Sequence, residues 1–507
     1  MLPEPDPVLC RALAADLEAA GFAAEALREA WGAAADDAIA RGLRSPADRA
    51  LAEREDALAV LGRLLVLGMP QPGAAVGAAL PSAGAEGLVR LGLAAIDGDR
   101  VRPRALVRPQ SVEGVSGPGQ WWIASDLDEA ALGGPLPEDH VLGVGGASLT
   151  LASLQLPIPA RRGLDVGAGC GIQALRARRD VDRIVATDIS ARALAFTRLN
   201  ALLNGVDGIE TRAGSLFEPV AGEEFDRIVS NPPFVITPRV SGVPAYEYRD
   251  AGLVGDDLVA AFVGGVGEHL APGGIAQLLG NWETRDGVPG LDRVRSWIES
   301  APVPLDAWVI ERESLDPLSY AELWVRDGGT LPGTPGFARL VDAWLDDFSA
   351  RGVTQVGFGY LLLRRPVADA PRLARYETLP QAVALEGLGA HLAAALAAHD
   401  RLAQLDDAGI AASVLIVSPD VTEARHHLPG GEDPTVIELR QGGGFGRSLS
   451  VDPALAALVG ACDGDLPVGA LIGAIAQLLE VDAEALSADL LPRVRELVFT
   501  GFLRFAV

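Results

Sequence analysis

The sequence predicts an α/β protein built on a Rossmann-like, doubly wound parallel sheet. A helical, winged-helix-like region precedes the sheet, and an α+β, winged-helix-like region follows it. Three observations carry this expectation. A strand–glycine loop–helix–strand–acid unit spans 161–206, the pattern of a nucleotide-type βαβ element. A second apolar strand, "FDRIVS", stops at "NPPF" (231–234). Short helical apolar patterns with Asp-Gly turns occupy both flanks, the order expected of winged helices.

Length and charge bound the problem. A chain of 507 residues has room for about three domains at ~150 residues each, and the predicted boundaries are 1–110, 111–366 and 367–507. Runs such as "ALAVLGRLLVLGM" (57–69) are too short or too interrupted for a bilayer, which needs ~20 apolar residues. The acidic, proline-rich start "MLPEPDPVLCRALAADLE" is unlike a secretory signal, so a soluble, cytoplasmic protein is expected. Cys10, Cys170 and Cys462 lie far apart with no zinc spacing, which argues against a disulfide framework or a metal site. His426 and His427 read as a surface feature in a Pro/Gly-rich loop.

Net charge is −26, and all 42 basic residues are arginine. Such a chain should not coat nucleic acid non-specifically, because phosphate neutralisation drives that binding. A nucleic-acid substrate would have to be held by local arginine patches. One candidate patch is Arg100, Arg102, Arg104 and Arg108, on the wing-like hairpin of the N-terminal region. It reads either as a docking wing for nucleic acid or a partner, or as a solvated hairpin on a packing module. The next stretch, "PQSVEGVSGPGQ" (109–120), reads as a linker.

In the central unit, a strand ends at "DVGAGCG" (165–171), and the following strand "RIVATDI" ends on Asp188 and Ile189. The glycines fall as GxGxG, and Asp165 precedes them. Glycines let backbone approach a ligand closely. A carboxylate at the loop repels phosphate but attracts an ammonium group, and Asp188 can take both hydroxyls of a ribose. A ligand with a ribose, a cationic amine and no phosphate describes S-adenosylmethionine better than a dinucleotide. The candidate cofactor residues are Asp165, Gly167, Ala168, Gly169, Gly171, Asp188, Ile189, Ser215 and Asn231.

With those motifs in place, residues from about 140 to 285 resemble a class I S-adenosylmethionine-dependent methyltransferase of the branch with an Asn-Pro-Pro-aromatic motif. That branch includes small-domain ribosomal RNA guanine-N2, transfer RNA and DNA adenine-N6, and release-factor glutamine methyltransferases. The resemblance implies a seven-stranded sheet, with "DVGAGCG" as the cofactor loop, Asp188 as the ribose acid and "NPPF" as the catalytic motif. Ser215 stands where many relatives carry an acid that contacts the adenine amino group.

The two prolines of "NPPF" remove backbone donors and stiffen the chain, while Asn231 is held extended before Pro232. The resemblance implies that the Asn231 side-chain oxygen and the Pro232 carbonyl accept hydrogen bonds from a planar NH₂ group. Its lone pair would then be aimed at the methyl group, with no strong general base needed. Pro233 completes the rigid platform, and Phe234 would stack on the target. The tract 239–256, with Tyr246, Tyr248 and Arg249, is a candidate substrate lid. "LDAWVIERES" and "TQVGFGYLLLRRP" read as the closing strand pair. The acidic C-terminal region suits docking of a protein or peptide, dimerisation or core support.

The expected function is N-methylation of a nucleobase amino group in RNA or DNA. Methylation of a protein amide such as glutamine is the alternative, and a non-catalytic cofactor-binding scaffold is a reading of another class. A small-molecule acceptor and a homodimer are left open.

Overall fold

A computed structural model describes residues 2–506 apart from 115–116, 135, 244–248, 250–251, 368–372, 382 and 384; side chains at 113, 114, 117 and 118 are also left undescribed. The chain forms two compact units, residues 1–152 with 159–366, and residues 153–158 with 367–507.

The first unit is organised by seven strands: β1 (Ala160–Val166), β2 (Val181–Asp188), β3 (Ile209–Ala213), β4 (Phe225–Ser230), β5 (Leu270–Arg285), β6 (Asp306–Leu315) and β7 (Val353–Arg364). Their spatial order is β3-β2-β1-β4-β5-β7-β6. The first five run parallel, and β7 inserts antiparallel between β5 and β6. The C-terminal halves of β1 and β4, residues 163–166 and 227–230, are buried at consecutive positions and so on both faces, as parallel strands covered by helices must be. The connecting helices are α1 (Ile172–Ala177), α2 (Ala191–Leu203), α3 (Asp257–His269), α4 (Gly290–Glu299), α5 (Pro317–Asp327) and α6 (Pro335–Ala350). This is the Rossmann-like sheet that the βαβ pattern predicts. The order in which successive strands are laid down reverses between the parallel neighbours β1 and β4, and that switch point is where open α/β sheets bind ligands.

Register sets the height of the site. Val166 of β1 pairs with Thr187 of β2 and with Ser230 of β4. The residues that follow, Gly167, Asp188 and Asn231, therefore leave the sheet at one level. The Ser230 hydroxyl donates to the Val166 carbonyl at 2.7 Å and locks the β1–β4 edge there.

One hydrophobic core runs from the N-terminal helices through to α1 and α2, joining Leu13, Phe22 and Leu64 to Ile172, Phe196 and Leu199. The stretch read as a linker is instead half of a long hairpin, Ala105–Gly114 with Gly117–Asp126. Its second strand is held by α2. Asn204 Oδ1 accepts from Trp122 N at 2.8 Å, and Asn200 Oδ1 accepts from Ala124 N at 2.8 Å. The two asparagines are four apart on one helix face, so they match a strand edge two residues apart. In the wing, Arg100 donates to the Pro70 carbonyl at 2.6 Å and Arg102 pairs with Asp97 at 2.7 Å.

In the second unit, Val414–Val417 lies between Asp463–Pro467 and Leu503–Phe505 in a three-stranded sheet, with helices Val468–Leu479 and Ala483–Phe499. A separate three-stranded sheet holds Val421–His427, so His426 and His427 lie on a strand and not in a loop.

Candidate active site

Above the β1–β4 switch point lies a cavity of about 260 Å³, walled by Gly167, Ala168, Gly169, Asp188, Ile189, Ser215, Asn231, Pro232 and Pro233 among others. Residues scattered over the sequence from 167 to 233 converge there because three strand ends share one level.

The glycine loop performs two separate tasks. Gly169 has φ +55°, and a methyl group there would meet nothing within 4 Å, so its missing side chain is cavity space. Gly171 has φ +84°, and a methyl group there would stand 2.9 Å from Thr197 Cγ2 and 3.0 Å from Thr197 Cα. Gly171 does not wall the cavity; it lets α2 approach the loop. Thr197 completes that contact by donating its hydroxyl to the Gly169 carbonyl at 3.0 Å.

Asp188 stands at the tip of β2. Its carboxylate accepts from Gly169 N at 3.0 Å and from Ser190 N at 2.8 Å, which leaves lone pairs on both oxygens facing the cavity. Burial pushes this carboxyl above its ordinary range. Ile189 beside it is an apolar side chain 60% exposed, set on the cavity wall. Asp165 is fully buried and is not part of the wall. One of its oxygens accepts from Ala174 N at 2.9 Å, tying β1 to α1, and the other has no hydrogen-bond partner among the described residues. Burial raises its carboxyl to about 7, with Asp188 adding to the shift. The structure thus sets Asp165 behind the loop, where its field reaches the cavity without contact.

Asn231 is half-buried. Its amide nitrogen donates to Ser148 Oγ at 3.4 Å, and its oxygen is buried with no partner among the described residues. A buried acceptor left unmade costs about 1–3 kcal/mol, so this atom is where a ligand's N–H is wanted. The Pro232 carbonyl is not wholly free, since it accepts from Phe234 N at 2.8 Å; one lone pair remains. Phe234 does not wall this cavity. Its ring packs on Phe358 with centroids 5.4 Å apart, and it borders a smaller recess on the other side of Pro233.

Tyr246 and Tyr248 lie outside the described residues. Arg249 is buried, and its guanidinium donates to the Trp324 carbonyl and to Asp327 Oδ2, each at 3.0 Å. Its own carbonyl accepts from Val235 N at 3.0 Å. It is a strut between α5 and the motif loop and does not wall the cavity.

Sequence reasoning missed the strap 140–148. His140, Val141, Leu142, Gly143 and Ser148 all wall the cavity. Asp126 positions the strap by accepting from Val141 N at 2.9 Å and from Arg192 Nε at 2.8 Å. The only local signal was the glycine-rich run "GVGGAS". Leu216, with φ 46°, also lines the cavity, a strained backbone of the kind that clusters at functional sites. Among the described residues, no group of three or more His, Cys, Asp or Glu could hold a metal ion, and no helix is long and apolar enough to cross a membrane.

S-adenosylmethionine fits this donor set. The open glycine cradle, the Asp188 carboxylate and the exposed Ile189 would hold its sugar and base. The buried carboxyls of Asp165 and Asp188 favour a cation.

Comparison with known proteins agrees. Residues 145–243 match the family described as the methyltransferase small domain, and residues 19–104 and 395–505 match two families described as domains of unknown function (DUF7059 and DUF7782). The release factor glutamine methyltransferase of Xylella fastidiosa (strain Temecula1) is 36% identical over 131 residues, covering 24% of this chain and 48% of that protein. The same-named protein of Geobacter sulfurreducens is 36% identical over 118 residues, covering 22% and 41%. The ribosomal RNA small subunit methyltransferase C of Salmonella newport is 30% identical over 166 residues, covering 32% and 43%. The chain spans about half the length of the curated relatives it matches. Residues 145–243, with their glycine loop and Asn-Pro-Pro-Phe tip, thus match the methyltransferase small domain family and sit on a Rossmann-like sheet of the class I methyltransferase type.

Proposed function

We propose that the chain is an S-adenosylmethionine-dependent N-methyltransferase that acts on a planar amino or amide nitrogen. The observation that carries this reading is the buried, unpartnered Asn231 oxygen in the cavity beside the glycine loop. The bound cofactor supplies an electrophilic methyl group on a sulfonium.

The chain's own residues address the other difficulty, which is that a planar nitrogen shares its lone pair with the neighbouring π system. Asn231 Oδ1 accepts one N–H of the acceptor, and the remaining lone pair of the Pro232 carbonyl accepts the second. Both bonds favour a pyramidal nitrogen whose lone pair is directed away from them. Ser148, held by Asn231 Nδ2 at 3.4 Å, keeps the amide oxygen turned to the acceptor. The methylated nitrogen is transiently cationic and releases its proton to water, so no strong base is needed. Such positioning and preorganised hydrogen bonding account for about 10²–10³-fold in rate per donor or acceptor removed.

A nucleobase amino group is the acceptor favoured by the sequence and by the breadth of this motif. A polypeptide amide uses the same hydrogen bonds. It draws support from the commitment of Arg100, Arg102 and Arg108 to partners within the protein.

The test is transfer of labelled methyl into cell extract lacking the gene, using the purified full chain and Asn231→Ala, with the label sorted by nuclease and protease. The variant should lose about 10²-fold or more of transfer while cofactor affinity, measured by calorimetry, stays within about threefold. Undiminished transfer by the variant would sink the assignment.

A further inference from the structure

A second, larger cavity of about 1,150 Å³ lies in the same unit, between the helices Ala24–Trp31 and Ala33–Ala40 and the long hairpin. It adjoins the cofactor cavity: His140, Leu142 and Gly143 line both. The helix Gly146–Leu154 connects the two sites. Gly146 and Leu149 face the large cavity, whereas Ser148 faces the small one and takes the hydrogen bond from Asn231.

The lining is acidic. Glu25, Asp36, Asp126, Asp128 and Glu129 stand against Arg28 and Arg108, with Asp126 paired to Arg192 behind the lining. Both arginines are already engaged, Arg108 with Asp128 at 2.6 Å and Arg28 with Asp36 at 4.0 Å. Glu25 and Glu129 have no ion pair among the described residues. Partial burial and the neighbouring Asp327 and Asp128 raise the Glu129 carboxyl above its ordinary range, so a cation beside it would be welcome. Between the carboxylates, Leu142 and Leu149 keep 48% and 45% of their surface exposed, an apolar strip inside an acidic cavity.

These features select an occupant. A phosphate polymer would meet like charge. Small-molecule pockets span ~300–1,000 Å³, and this cavity lies above that range. We propose that the second cavity seats a cationic polypeptide segment carrying arginine or lysine with apolar side chains, whose planar nitrogen passes His140–Gly143 to reach Asn231. The proposal rests on the methyltransferase reading for the last step, but the binding itself does not.

The experiment titrates the full chain with a fluorescent, end-blocked heptapeptide of arginine, leucine and glutamine, and with the same peptide carrying neutral citrulline for arginine. The arginine peptide should bind, and more weakly as salt rises. Glu25→Gln and Glu129→Gln should each weaken it roughly two- to fivefold, and Leu149→Arg should weaken it further. Glu53→Gln, an exposed carboxylate outside the cavity, should leave binding unchanged.

Absence of binding overturns the proposal. So does equal binding of the citrulline peptide, or an equal response to Glu53→Gln and Glu129→Gln. Displacement of the peptide by a single-stranded RNA oligonucleotide at comparable concentration also overturns it, in favour of a nucleic-acid acceptor. Calorimetric titration with S-adenosylmethionine keeps the two readings apart: failure there defeats the methyltransferase reading while peptide binding still stands or falls by itself.

Discussion

The phenol oxygen of Tyr320 accepts the backbone N–H of Ile236 across 3.1 Å, joining α5 to the chain two residues beyond the Asn-Pro-Pro-Phe tip. The same oxygen takes the Asn281 side-chain amide from β5. The Asn-Pro-Pro-Phe tip is therefore stiff for two reasons. Its prolines restrict φ locally, and a buried hydroxyl anchors the segment that follows.

Tyr320→Phe leaves both donors buried without an acceptor. At ~1–3 kcal/mol per orphaned donor, unfolding free energy in urea should fall by about 2–4 kcal/mol. Methyl transfer should drop more than cofactor affinity does, because Asn231 loses its support while the glycine loop keeps its own.

The two glycines of the cofactor loop should fail differently. Gly169→Ala strains the backbone by roughly 1–2 kcal/mol and fills cavity space, so the variant should fold yet lose cofactor affinity in calorimetry. Gly171→Ala drives a methyl group into Thr197. It should cost a further ~1–3 kcal/mol of overpacking, seen first as a lowered Tm.

Asp165 gives a pH signature. Its ordinary value of 3.8 holds in the unfolded chain, and burial raises it to about 7 in the fold. Between those values the folded state holds more protons, so this residue's contribution to stability falls as pH rises through that window and levels off above it. Asp165→Asn mimics the neutral carboxyl and keeps an acceptor for Ala174 N. Calorimetric Tm of the variant relative to the parent should therefore climb between about pH 4 and pH 7 and level off above that. A gap that stays flat would mean the carboxyl titrates below that range.

Ile189→Ser should weaken cofactor binding about tenfold, from ~1.5 kcal/mol of lost apolar contact. Tm should hardly move, since the side chain is 60% exposed and supports no core.

Much of the cavity wall was legible in the sequence because its determinants are local. Gly167, Gly169 and Asp188 mark a strand end, a turn and the next strand end, and Asn231 before two prolines marks another. Such signals depend on φ, on missing donors and on the reach of a carboxylate, which neighbouring residues reveal. The Phe234 ring and Arg249 were harder to read. An aromatic ring and a guanidinium serve a ligand or a core equally well, and packing against Phe358 and pairing with Asp327 turned both inward.

The amino-acid order by itself determined the parallel βαβ frame, the glycine loop, the acid at the tip of β2 and the amide tip, since each follows from backbone geometry within a few residues. Only the tertiary structure decided that Ala105–Gly114 and Gly117–Asp126 pair as a hairpin, because outer hydrogen bonds of the second strand go to Asn200 and Asn204, 76 and 82 residues farther along the chain. It also decided that Asp165 stands behind the loop and that the strap 140–148 closes the site. The acidic cavity arose in the same way, from helices, hairpin and strap brought together by one hydrophobic core. That burial is non-directional and acts between residues far apart in sequence, so no local pattern announces the space it encloses.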